Sequence, residues 1–86
     1  MKWNEVREKY PNRWVLIEAL ESESKNSKRI VKDMSVINDF TNGGLALKEY
    51  AEKHKKDKSR EMYVYNTKHK ELNIEERVWI GVRKNG

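Results

Sequence analysis

The amino-acid sequence predicts an α+β fold, a four-stranded antiparallel or mixed sheet in the order ββαββ, with one main helix on one face and a short helix ahead of the first strand. Three observations carry this expectation. The run Arg13 to Leu20 sets six apolar side chains in eight positions directly behind a proline turn. A stretch so short and so apolar reads as a central strand wetted on neither face. Residues 46–54 repeat apolar side chains at helical spacing, and the later runs Glu61 to Asn66 and Arg77 to Arg83 alternate as strands do.

Trp3, Val6 and Tyr10 fall on one side of a two-turn helix over residues 3–9, and Pro11 stops it because proline disfavours helix at the residue before it. In the strand from Arg13, Val15, Ile17 and Ala19 share one face, and Trp14, Leu16, Glu18 and Leu20 share the other. The wholly apolar set is expected under the main helix. Glu21 to Lys28 is polar, serine-rich and aperiodic, so it reads as an exposed hairpin connection. Arg29 to Phe40 is a second strand whose parity changes midway, and a bulge near Asp33 reconciles its two halves.

Thr41 or Asn42 can cap a helix in which Ala46, Leu47, Tyr50, Ala51 and His54 form one stripe. Its cationic end, Lys53 to Lys58, suits the macrodipole. Glu61 to Asn66 follows as the third strand. Leu72 and Ile74 are expected to tuck under a sheet edge, and Arg77 to Arg83 closes the sheet as the fourth strand.

Eighty-six residues make one small domain spanning 1–86. With 38% charged residues and 36% hydrophobic ones, the core has to lean on a few large aromatics. The absence of cysteine excludes a disulfide framework, a thiolate nucleophile and a cysteine-ligated zinc. The charged N-terminus has no apolar signal-peptide core, and no apolar run approaches a membrane span, so a cytoplasmic protein without membrane contact is expected. The net charge of +5 is concentrated in residues 25–60. Such an excess suits an acidic or nucleic-acid partner, but ordinary soluble domains carry as much.

Tyr10-Pro11 followed by Trp14-Val15 and Glu18, then Phe40, Ala46 and Tyr50, then Arg60-Glu61-Met62-Tyr63, Thr67, Leu72, Ile74-Glu75-Glu76 and Gly81-Val82-Arg83, together resemble a family of small uncharacterised bacterial proteins. The resemblance covers most of the chain and brings no activity with it. Some members carry histidine-threonine where this chain has Asn66-Thr67. The resemblance also implies genes beside retropepsin-like aspartic proteases in some bacteria, which points to a protein partner.

Catalytic signals are weak. His54 and His69 lack a third metal ligand at suitable spacing. Glu75 and Glu76 are adjacent and would face opposite ways on a strand. Gly43-Gly44 is a turn, not a phosphate cradle. No cofactor is expected. The basic patch Lys53, Lys55, Lys56 and Lys58 has no interleaved aromatic ring and reads first as a solvated helix end.

If the aliphatic faces lie under the main helix, the other face gathers Trp14, Tyr63, Tyr65 and Trp79 beside Arg77 and Arg83. Three accounts compete for that face: closure by the N-terminal helix, a homodimer or protein-partner surface, and a stacking platform for single-stranded nucleic acid. The sequence therefore points to a non-enzymatic interaction module that binds a protein partner or itself through a sheet face. The alternative is single-strand binding by the aromatic face together with the basic helix end.

Overall fold

Helical spacing, a proline stop and strand alternation translate directly into elements. The computed structural model describes residues 1–76. The expected strand from Arg77 to Arg83, and with it Arg77, Trp79 and Arg83 of the expected contact surface, lies outside the described residues. The elements are α1 (Trp3–Lys9), β1 (Trp14–Lys25), β2 (Lys28–Phe40), α2 (Gly43–Lys56), β3 (Met62–Asn66) and β4 (Ile74–Glu75). Together they form an α+β fold around an open antiparallel sheet of four strands in the order β3-β1-β2-β4. The apolar run from Trp14 is thus central, as expected.

The first difference from expectation is the length of the hairpin. Glu21 to Lys25 is strand, and only Asn26 and Ser27 turn, both with positive φ (51° and 62°). Two left-handed residues form a tight turn whose twist matches the flanking strands. The polar stretch gives no strand signal because neither of its faces meets the core. The backbone ladder and a network of charged side chains hold it instead. The pairing skips Leu20, Lys32 and Ile37, so one residue in each place is bulged out. Lys32, next to Asp33, is the expected bulge.

The second difference concerns which helix covers which face. Residues opposite one another in an antiparallel pair share a face. Val15 lies opposite Tyr65 and Ile17 opposite Tyr63, whereas Leu16 lies opposite Val64 and Glu18 opposite Met62. Trp3 and Val6 of α1 join Val15, Ile17 and Met34 in one buried cluster, with Tyr10, Val31, Val36, Tyr63, Tyr65 and Leu72 packed against it. The small aliphatic face of β1 therefore lies under the short helix. The long helix covers the opposite face.

Size complementarity explains this sorting. A Cβ placed on Gly43 would stand 3.1 and 3.2 Å from Cε2 and Cζ2 of Trp14, so the start of α2 rests on the indole because it has no side chain there. Ala46 is wholly buried one turn later. The bare face of α2 fits the bulky face of β1, and bulky Trp3 and Val6 fit its slim face. Asn42 caps α2 by accepting from the Leu45 N–H at 2.9 Å.

Candidate interaction site

The expected aromatic surface is divided by the sheet. Trp14 lies on the α2 side beneath Gly43, while Tyr63 and Tyr65 lie on the α1 side. They do not form one face, because alternation in β1 and β3 is in register and places Trp14 opposite Asn66. The closing helix is present: Trp3 meets Tyr65 edge-on with ring centroids 5.6 Å apart, and its indole N–H donates to the His69 carbonyl at 3.0 Å. The Tyr65 ring also abuts His69 at 5.1 Å.

Tyr63 belongs to a polar cluster that ties the hairpin arm to the base of β3. Its hydroxyl donates to Glu61 Oε2 at 2.6 Å. Arg29 donates to both Glu61 oxygens at 2.7 and 3.1 Å, and the Ser22 hydroxyl donates to Oε1 at 2.9 Å. A third Arg29 nitrogen donates to Ser24 Oγ, whose hydroxyl donates to Glu76. The Arg29 guanidinium holds the Glu61 carboxyl down at about 2, with the Tyr63 and Ser22 hydroxyls assisting against the desolvation that opposes it. Burial and the Glu61 carboxylate push the Tyr63 phenol well above its ordinary range. These perturbed groups satisfy one another, so the cluster is a fastening and leaves no free acid or base.

Thr67, invisible to periodicity, is the buried polar residue of the core at 2% exposure. Its hydroxyl accepts from the Arg13 N–H at 3.0 Å and donates to the Tyr10 carbonyl at 2.6 Å. Its N–H donates to the Arg13 carbonyl at 2.9 Å, and its own carbonyl accepts from Arg7 Nε at 2.9 Å. The residue therefore locks the Pro11 turn to the end of β3.

The outer side of β3 is one open edge of the described sheet. The bonds Thr67 N–H to Arg13 O and Ala19 N–H to Glu61 O fix the ladder phase. Tyr63 and Tyr65 consequently turn their backbone groups toward β1, and Met62 and Val64 turn theirs outward. Among the described residues no strand lies beyond β3. The side chains of Met62 and Val64 face α2, where Leu47, Tyr50, Met62, Tyr63 and Val64 line an apolar groove of about 230 Å³. Leu47 is 58% exposed at its rim. Outward-facing backbone polarity and apolar surface thus meet along one edge. The stripe expected on α2 turns only partly inward, since Ala46 is buried while Leu47 and Ala51 are exposed.

The basic patch stands between the last turn of α2 and the start of β3. Lys55, Lys56 and Lys58 are exposed, and Lys53 lies 3.8 Å from Glu49. Glu18 takes two bonds from Arg60, at 2.7 and 3.1 Å, and the guanidinium lowers its carboxyl below the usual range. Asp57 is likewise lowered, by hydrogen bonds from the Ser59 hydroxyl and N–H. The Tyr50 ring stacks on His54 at 5.4 Å with planes 10° apart, and His54 Nδ1 is buried with no hydrogen-bond partner among the described residues. Among the described residues no three histidine, cysteine or acidic side chains converge as a metal cage would.

A second hollow, about 280 Å³, lies between α1 and residues 70–72 and is lined by Lys2, Trp3, Asn4, Val31 and Leu72 among others. It adjoins Val31 on the outer side of β2, where β4 pairs only with Lys28 and Arg29. Comparison with protein-family models, curated proteins and solved structures finds no match to this chain. No helix among the described residues is long and apolar enough to cross a membrane.

Proposed function

We propose that this chain is a non-enzymatic protein-interaction module whose contact surface is the outer edge of β3 together with the groove beneath α2. The observation that supports this reading is the coincidence of outward-facing backbone groups at Met62 and Val64 with the apolar groove their side chains floor. An extended segment of a partner can add to such an edge, gaining affinity from main-chain bonds and specificity from alternate side chains. The surface is thus a sheet edge and not the sheet face expected from sequence. The cytoplasmic, bacterial setting belongs to the same proposal, the bacterial part resting on the sequence resemblance.

Single-strand nucleic-acid binding is the weaker reading. A stacking platform requires free rings, and Tyr63, Tyr65 and Tyr50 are engaged by Glu61, Trp3 and His54 respectively. Selection from a displayed library of extended peptides tests the proposal. Selected peptides should shift the backbone amides of Met62 and Val64 and should bind Leu47→Asp at least about tenfold more weakly, the loss of one well-packed apolar anchor. Peptides that bind that variant undiminished would remove the groove from consideration.

A further inference from the structure

No charged side chain lines the groove between α2 and β3, so the group that enters it has to be apolar. The flank of α2 above the groove is itself apolar. Gly44 and Ala51 stand three residues before and four residues after Leu47, on the same side of the helix, and all three are exposed. Groove and flank are therefore complementary to a copy of themselves, Leu47 being both the exposed apolar side chain and part of the lining that would receive one.

Backbone bonding fixes how two copies would meet. To one side of Met62 the Arg60 N–H is bonded to the Asp57 carbonyl, and beyond Val64 the Asn66 carbonyl accepts from the His69 N–H. Met62 and Val64 are left with both of their outward groups. An antiparallel pairing that uses all of them sets Met62 against the partner's Val64 and passes the two-fold axis beside Tyr63. The opposite edge of the sheet does not offer the same partner, because Met34 of β2 exchanges both of its backbone bonds with Met1, and Lys28 and Arg29 pair with β4. Pairing at β3 thus closes at two chains. The helices fit as well. Gly43 rests on Trp14 of β1, and Leu47 and Tyr50 meet Met62 and Val64 of β3, so α2 runs over the gap between those strands. With strands about 4.8 Å apart, an axis half a spacing beyond β3 sets the two helices about 10 Å apart, the distance at which packed helices meet.

We propose that the occupant of this surface is a second copy of the chain: a two-fold dimer in which β3 pairs antiparallel with the partner's β3, the two α2 helices lie side by side, and Leu47 of each copy enters the groove of the other. The inference rests on the β3 edge being the contact surface and names the partner that takes it. The contact is about 20 Å long, the length of α2, and about 20 Å tall, one helix layer on one sheet. That buries about 1,000 Å² over both copies, the low end for a specific interface, so the dimer is reversible and of micromolar affinity. Each copy carries a net charge of +5, and the two repel, so added salt tightens the dimer by screening.

Sedimentation velocity of the full chain over a concentration series tests it. The mean mass should rise from one chain to two and level there, at lower concentration as salt is added. Leu47→Asp, at a position exposed in the single chain, should weaken association at least about tenfold while leaving the far-ultraviolet dichroism unchanged. Val64→Pro removes an outward N–H that β1 does not use and should weaken it likewise. The amides of Met62 and Val64 should exchange more slowly as concentration rises. A chain that stays single at millimolar concentration, while peptides selected on it still lose affinity with Leu47→Asp, would overturn the second copy and leave the groove as contact surface. A single chain whose peptides ignore Leu47→Asp would overturn both. A dimer indifferent to Leu47→Asp, or a mass that grows past two chains, would overturn the proposed pairing.

Discussion

Replacing the Thr67 hydroxyl with a methyl, Thr67→Val, isolates the lock between the Pro11 turn and β3 while keeping the side chain's shape. The hydroxyl makes two short bonds, 3.0 Å from the Arg13 N–H and 2.6 Å to the Tyr10 carbonyl, at a residue only 2% exposed. Each buried backbone group left unpaired costs about 1–3 kcal/mol. Tyr10 and Arg13 are half-buried, so water can recover part of that, and the expected loss is about 2–3 kcal/mol. Thr67→Ser keeps both bonds and deletes one methyl, a loss of about 1 kcal/mol. For a domain of this size 1 kcal/mol moves the melting temperature by about 4–8 °C. Calorimetry and urea unfolding should therefore rank wild type above serine and serine above valine, with the valine variant melting at least about 8 °C below wild type. A valine variant as stable as the serine one would refute the reasoning, because packing would then matter more than the hydroxyl.

Glu61 gives a pH-dependent counterpart. Its carboxyl falls from 4.5 to about 2 on folding, so its contribution is complete above pH 4.5 and disappears as the pH drops through about 2. The shift corresponds to about 3 kcal/mol, and with the side chain 27% exposed about half of that should be realised. The stability gap between wild type and Glu61→Gln, followed by urea unfolding from pH 6 downward, should narrow between pH 4.5 and 2, and a constant gap would count against the Arg29 fastening. At the hairpin tip, Ser27 holds a φ of 62°, which costs a side-chain-bearing residue about 1–2 kcal/mol. Ser27→Gly should raise the urea midpoint by about 0.5–1 kcal/mol of stability at unchanged slope, after the entropy of glycine is deducted. A lowered midpoint would show that the turn is not strained.

The elements legible in the sequence were those with one apolar and one polar side. The spacing of Trp3, Val6 and Tyr10 located α1, and the apolar run after Pro11 located the core half of β1. The Met62–Tyr65 alternation located β3. Residues 21–25 escaped because a strand wet on both faces has no alternation, and its fastening depends on Glu61, some forty positions away. Parity correctly paired Val15 with Ile17 but could not say which helix would cover them. That choice was made by Gly43 settling on Trp14, a contact between positions 29 residues apart. The bulges at Leu20, Lys32 and Ile37 each reverse the parity count, so grouping Leu20 with Trp14 by alternation was unsafe. Lys53, Lys55 and Lys56 fall in the last turn of α2, but the open edge of β3 follows from strand order, which local patterning does not encode.

The longer helix buries fewer side chains completely than the shorter one. The short α1 contributes Trp3 and Val6 to a cluster of five buried side chains, whereas α2, twice its length, buries Ala46 alone. Regions with few buried contacts open at lower free energy, so amides of α2 should exchange with solvent ahead of those in β1. One wall of the groove thus buries few side chains completely, and the other, β3, is fixed by the Thr67 lock and by β1. Were the groove to take extended peptides as proposed, its preferences should be tolerant in side-chain size and strict in backbone alignment.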